Sequence, residues 1–335
     1  MKKRLILFLF ILFVASCKRE SGAVNYVYEG VSVKIGRFDV ALMNYLSLSP
    51  DERNNNSSLF KDYTRFLELY TAHVVSIENA RSKQEVSKGL VSFFSDPTLF
   101  YLYKDAESKF ADISQIEQEA SSAFSFLAAN LPGIVIPEIY FHVSGLNQNV
   151  VAGEQILSLS IDKYLGSDYP LYSNYFYEYQ RKDMVPERAT LDLAMGFLLS
   201  EFPYAGNEEV LINKMIYWGK IKYILSLAFP EKEKSFIMGY TPEQLNWCIN
   251  NRSDIWKKIV GKKNLYSTDR LLIAKYTEPA PHTTPLSEDA PPQAGIWVGW
   301  QIVEYYMINN PTVTIPMLLK NNNFVEILKK SGYRP

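Results

Sequence analysis

Two cysteines are all that this 335-residue chain has, and the first sits where it cannot serve the fold. Cys17 closes a stretch that begins with Lys2-Lys3-Arg4, runs through the apolar residues Leu5 to Phe13 and ends on Val14-Ala15-Ser16. A basic start, a short apolar run and small residues before a cut make a secretory signal, and the run is too short to remain in a bilayer as a spanning helix. Small residues directly before a cysteine at this distance resemble the bacterial lipobox, in which the cysteine is acylated and becomes the new N-terminus. Cys248 is then the only thiol of the mature chain, so no disulfide can staple it. Stability has to come from burial. At 47% apolar and 14% aromatic, a chain of this length can bury a large core in one domain.

Cleavage after residue 16 removes three positive residues and takes the formal charge from −1 to about −4. That balance argues against a nucleic-acid partner and against attachment to lipid headgroups by bulk charge. Membrane contact falls instead to acyl chains on Cys17, at roughly 0.8 kcal/mol per buried CH₂. The expected organisation is a lipoprotein signal peptide over 1–16, a tether over 17–34 and a single globular domain over 35–335. Its location would be the periplasmic face of the cell envelope. Lys18 after the acylated cysteine leans towards the outer membrane, with the inner membrane still open.

Apolar residues at helical spacing predict helices through Phe38, Ala41, Leu42, Tyr45 and Leu46, and again from Leu59 to Val74. Further helices are expected over Glu85 to Phe94 and Ala106 to Asn130. The period then changes: Ile134-Val135-Ile136, Ile139 to Val143 and Ile156 to Ile161 predict two or three strands, with a turn at Gly145-Leu146-Asn147. Helices return over Pro186 to Phe202, Glu208 to Ala228, Pro242 to about Val260, Gly295 to Ile308 and Phe324 to Lys330. Thr277 to Gln293 holds five prolines and predicts a loop, either a lid or a disordered excursion. The fold class is α+β, mainly helical with a small β-hairpin or sheet.

Several phrases carry a more specific likeness: Ile35-Gly36-Arg37-Phe38-Asp39, Ser95-Asp96-Pro97, Tyr164-Leu165-Gly166-Ser167-Asp168-Tyr169, Tyr179-Gln180-Arg181-Lys182 and Glu201-Phe202-Pro203. Gly239-Tyr240-Thr241-Pro242-Glu243-Gln244-Leu245-Asn246-Trp247, Leu265-Tyr266-Ser267-Thr268-Asp269 and Gly295-Ile296-Trp297-Val298-Gly299-Trp300-Gln301-Ile302-Val303 follow in order. Together they resemble the gliding motility lipoprotein GldB family across nearly the whole mature chain. The resemblance implies a lipid-anchored envelope protein whose partners belong to the gliding or secretion machinery. It also implies a fold resembling a degenerate zincin-type metallopeptidase.

A zincin requires His-Glu-x-x-His, because two histidines one turn apart face the metal while the glutamate acts as base. The corresponding helix, Pro186 to Glu201, has no histidine, and the next one places Trp218 rather than an acid before Gly219. The chain's histidines are His73, His142 and His282, in unrelated contexts. No metal, no other cofactor and no catalytic residue is therefore expected. Asp192 is read as a buried structural carboxylate beside the small residues Ala189, Gly196 and Ser200. Glu187 and Glu201 would stand about 21 Å apart along a helix, too far to share a substrate. Ser160-Ile161-Asp162-Lys163 and Ser58-Leu59-Phe60-Lys61 match Ser-x-x-Lys at two positions only. Cys248 reads as a small core residue, with a pairing to His142 or His282 left open.

Tyrosine density is what chemistry leaves over. Tyr169, Tyr172, Tyr175, Phe176, Tyr177 and Tyr179 lie within eleven residues, directly before Arg181 and Lys182. Tyrosine combines a large contact area with a polar tip and is enriched at interfaces. Tyr175, Tyr177, Tyr179, Arg181 and Lys182 are the candidate partner-binding residues, on a groove bordered by the proline-rich loop. Trp297 and Trp300 read as core. The leading functional reading is a non-catalytic peptidase-like scaffold or binding module. The alternative is a non-zinc envelope hydrolase that attacks peptide or glycan through a carboxylate or Cys248.

Overall fold

The computed structural model describes residues 30–335 apart from 57, 78, 79, 81, 207 and 208. The signal segment, Cys17 and residues 18–29 of the expected tether lie outside the described residues. The described end of that tether is not loose. Val33 is buried, and the amides of Val31, Val33 and Ile35 donate to Ser125 Oγ, Ser121 Oγ and Glu117 Oε1. Alternate residues of an extended chain recur every ~6.6 Å, and every fourth residue of a helix every ~6 Å. The two repeats coincide closely enough for one helix stripe to satisfy one strand edge. Ile35–Arg37 continues as strand β1, hidden in the sequence by its three-residue length, by Lys34 before it and by Arg37 at its end.

Five helices of eight residues or more follow: α1 (Phe38–Leu46), α2 (Thr64–His73), α3 (Lys83–Phe93), α4 (Pro97–Lys109) and α5 (Ser114–Asn130). Their starts have local causes. Ser82 and Glu85 form a capping box ahead of α3, and Asp96 accepts from the amides of Thr98 and Leu99, with Pro97 at the first helical position. Where one helix was expected over Ala106 to Asn130, the chain stops at Lys109 and restarts at Ser114, beside which Asp112 accepts from the Ser114 amide.

Strands β2 (Glu138–His142), β3 (Val150–Gly153) and β4 (Ile156–Ser160) complete a four-stranded sheet in the order β1-β2-β4-β3. β1, β2 and β4 are parallel; β3 pairs antiparallel with β4 as an edge hairpin through Glu154-Gln155. The expected extended run at Ile134 to Ile136 is not a strand. Pro137 lacks the amide that a ladder needs, and pairing begins one residue later. One sheet face presents Tyr140, stacked on Phe66 of α2 at 4.7 Å, and His142, whose ring lies 5.7 Å from Tyr70. Phe141, on the opposite face, meets Phe110 edge-on.

The second half is helical: α6 (Ala189–Glu201), α7 (Leu211–Ala228), α8 (Pro242–Asn250), α9 (Arg252–Gly261), α10 (Arg270–Thr277), α11 (Ala294–Asn309) and α12 (Phe324–Ser331). The helix expected from Pro242 to Val260 breaks at Asn251, and α10 lies where none was expected. α7 and α11 cross at Gly219 and Gly299. A Cβ on Gly219 would stand 2.3 Å from the Gly299 carbonyl carbon, and one on Gly299 only 1.7 Å from the Met215 oxygen. Backbone thus packs on backbone, and Trp297 and Trp300 are buried alongside. β3 reaches α6 where Gly196 offers no side chain, since a Cβ there would meet Val150 at 2.6 Å. The molecule is an α+β fold, mainly helical, with helices over the sheet and a helical half built around α7 and α11.

Candidate functional site

Two segments about a hundred residues apart in sequence meet around one pocket of about 350 Å³. The tyrosine-rich segment contributes Phe176, Tyr179, Gln180 and Lys182; the proline-rich one contributes Pro279, Ala280 and Pro292. Asn149, Lys163, Asp183 and Gly239 are also part of the wall.

Anchors in the tyrosine-rich segment explain which of its rings stay outside. Tyr172 is buried, donates to the Asp162 carbonyl at 2.6 Å and accepts from the Leu165 amide, while Tyr169 donates to Asp105 at 2.7 Å. Between these ties and the turn of helix at Glu178–Arg181, Tyr175 and Tyr177 are turned to solvent, 64% and 71% exposed. Tyr177 stacks on half-buried Tyr179 at 5.8 Å with the rings 10° from parallel. Arg181 is half-buried, with an Nε that has no hydrogen-bond partner, and Lys182 donates to the Gly239 carbonyl at 2.6 Å.

The proline-rich segment is neither a detached lid nor an excursion. Thr283 donates to the Pro291 carbonyl and accepts from the Ala294 amide, Lys258 and Lys262 of the neighbouring 252–262 stretch donate to the carbonyls of Leu286 and Pro285, and Leu286 and Ala290 are buried. Prolines cannot donate, so the carbonyls are satisfied by threonine and lysine side chains instead.

Behind the pocket lies a buried charged cluster. Arg188 contacts Asp192 at 3.3 Å and Asp183 at 3.8 Å, donates to the Phe236 carbonyl and covers the Phe236 ring. Tyr164 donates to the other oxygen of Asp192 at 2.9 Å. Lys222 of α7 joins the cluster with only the Ile237 carbonyl as hydrogen-bond partner, and burial pushes its pKa down to about 8. Both oxygens of Asp192 are therefore occupied. The Arg188 pairing is an i, i+4 contact that was visible in the sequence at the helix start; Lys163 and Asn149 carried no such signal.

A second polar group is sealed inside the sheet. His142 Nδ1 lies 2.5 Å from Ser158 Oγ, Ser160 bonds to Ser144 and Asp162, and Asp162 accepts from the amides of Ser144 and Leu146. All five side chains are fully buried, so this serine–histidine contact meets no substrate space. Burial alone drives the His142 pKa down to about 3. An unfolded chain would protonate this ring below about pH 6.5 while the folded one stays neutral, so stability falls as pH drops from 6.5 towards 3, by up to ~1.4 kcal/mol per unit. Denaturation of wild type and His142→Gln between pH 6.5 and 4 should show a flatter slope for the variant; equal slopes would exclude this source.

The other candidates stay apart. Cys248 is buried, its thiol pushed up to about 12 by burial and contacted by Tyr240 rather than by either His142 or His282. Glu187 and Glu201 are exposed, the latter on a separate pocket of about 320 Å³ beside the β3–β4 hairpin. Among the described residues, no three His, Cys, Asp or Glu side chains gather to hold a metal ion, and no helix is long and apolar enough to cross a membrane. The family described as gliding motility protein GldB matches residues 21–335. No curated protein and no solved structure matches the chain.

Proposed function

The chain belongs to the family of gliding motility protein GldB, and from that premise we propose that it serves surface gliding as an envelope lipoprotein anchored through Cys17. Its body, a peptidase-like scaffold without the metal chemistry, docks a component of the gliding or secretion machinery and carries out no reaction. The observation that supports this reading most is the pairing of exposed Tyr175 and Tyr177 with a pocket bordered by both loops. Solvent-facing tyrosines, one of them stacked on Tyr179, offer area and a polar tip at little conformational cost. The groups that would do chemistry are meanwhile buried or committed: Asp192 to Arg188 and Tyr164, His142 to Ser158, and Cys248 as a buried thiol.

Replacing Tyr175, Tyr177 and Tyr179 together by alanine should abolish gliding and loosen crosslinks to envelope partners. Folding stability should stay within about 1 kcal/mol of wild type, because two of the three rings are exposed. A strain carrying the triple variant that still glides normally would overturn the docking role.

A further inference from the structure

Charge around the pocket is distributed unevenly: its acids are hydrogen-bonded or ion-paired directly, whereas Asp162 and Asp183 act on Lys163 and Lys182 only from beyond contact distance. The acids are committed: Asp183 faces Arg188, and Asp162 is held by two backbone amides and Ser160. The lysines are not. Lys163, itself buried, contacts only the Leu146 carbonyl at 3.3 Å and the face of the Phe176 ring at 4.1 Å, while Lys182 contacts the Gly239 carbonyl. Among the described residues, neither has a carboxylate within 4 Å. An ammonium has three donors, so each lysine keeps donors unmatched at the wall of a space large enough for a side chain. Asn149 and Gln180 add amides that can donate to the same guest.

Resting on the docking role above, we propose that this pocket takes the carboxylate of an acidic peptide segment, with Lys163 and Lys182 as its counter-ions and the stacked Tyr177–Tyr179 pair as the ledge beside it. Burial lowers the pKa of both lysines against the opposing pull of Asp162 on Lys163 and of Asp183 on Lys182, and an incoming carboxylate would add to that pull. Such charge-assisted contacts in a partly desolvated site are stronger than their surface equivalents.

The test is calorimetric titration of the full-length protein in non-ionic detergent with the peptide acetyl-(Ser-Glu)₄-amide and its glutamine counterpart. The glutamate peptide should bind at least tenfold more tightly, and Lys163→Met and Lys182→Met should each lose tenfold or more. Lys257→Met, a change at an exposed lysine on α9, should bind as wild type does. Equal binding of the two peptides, or an equal loss in Lys257→Met, would overturn the proposal. The two readings fail separately. Loss of envelope crosslinks in the tyrosine variant but not in the lysine variants would keep the docking role and remove the acidic ligand. Tight glutamate binding in a protein whose tyrosine variant glides normally would do the reverse.

Discussion

Gly299→Ala should destabilise the protein by about 3–5 kcal/mol, more than any exposed substitution in the molecule. The added methyl would lie 1.7 Å from the Met215 carbonyl oxygen, against a helix backbone that has no rotamer to adjust. Relief requires α7 and α11 to separate, and the buried Trp297 and Trp300 rings would have to move with them. Alanine's better helix propensity returns only ~1 kcal/mol. Gly219→Ala should behave similarly, because its Cβ meets the Gly299 carbonyl carbon at 2.3 Å. Gly261→Ala is the matched control at the end of α9, where nothing lies within 4 Å of the added atom. Urea denaturation checks all three: a Gly299→Ala protein as stable as Gly261→Ala would mean that the helices do not cross as described.

Breaking the Arg188–Asp192 pair from one side should cost about as much. Arg188→Met leaves the Asp192 carboxylate buried with Tyr164 as its remaining donor and Asp183 without its guanidinium, a loss of about 3–5 kcal/mol. Asp192→Leu in the same background removes the orphaned charge, so the double variant should recover part of that stability. A double-mutant cycle reads the coupling, and strictly additive losses would show that the two side chains do not sustain each other. Asp192 accepts from Arg188 at one oxygen and from Tyr164 at the other, which ties the start of α6 to the segment that follows β4.

Sequence periodicity sufficed wherever one rule decided the outcome. Pro242 after Thr241, with Gln244 three residues on, marks a helix start from residue chemistry alone, and the structure shows that capping box. The small residue Gly196 announced a close approach without saying by what; β3 fills that role. β1 and β3 escaped because three and four residues are too few for an alternation to register, and β1's pairing partner β2 lies about a hundred residues along the chain. The meeting of the tyrosine-rich and proline-rich segments was expected, but Lys163 at the same pocket was not. Its place depends on a short 3₁₀ turn at Ile161–Lys163 after β4, and no local pattern encodes which way such a turn aims its last side chain.

The segment running into β1 hangs on helix α5 by Glu117, Ser121 and Ser125, one contact at each alternate amide. A tug on the chain's N-terminus along that direction would strain the three links simultaneously, in shear, instead of peeling them in turn. Parallel loading of this kind spreads a pull over three hydrogen bonds, where unzipping would break them one at a time.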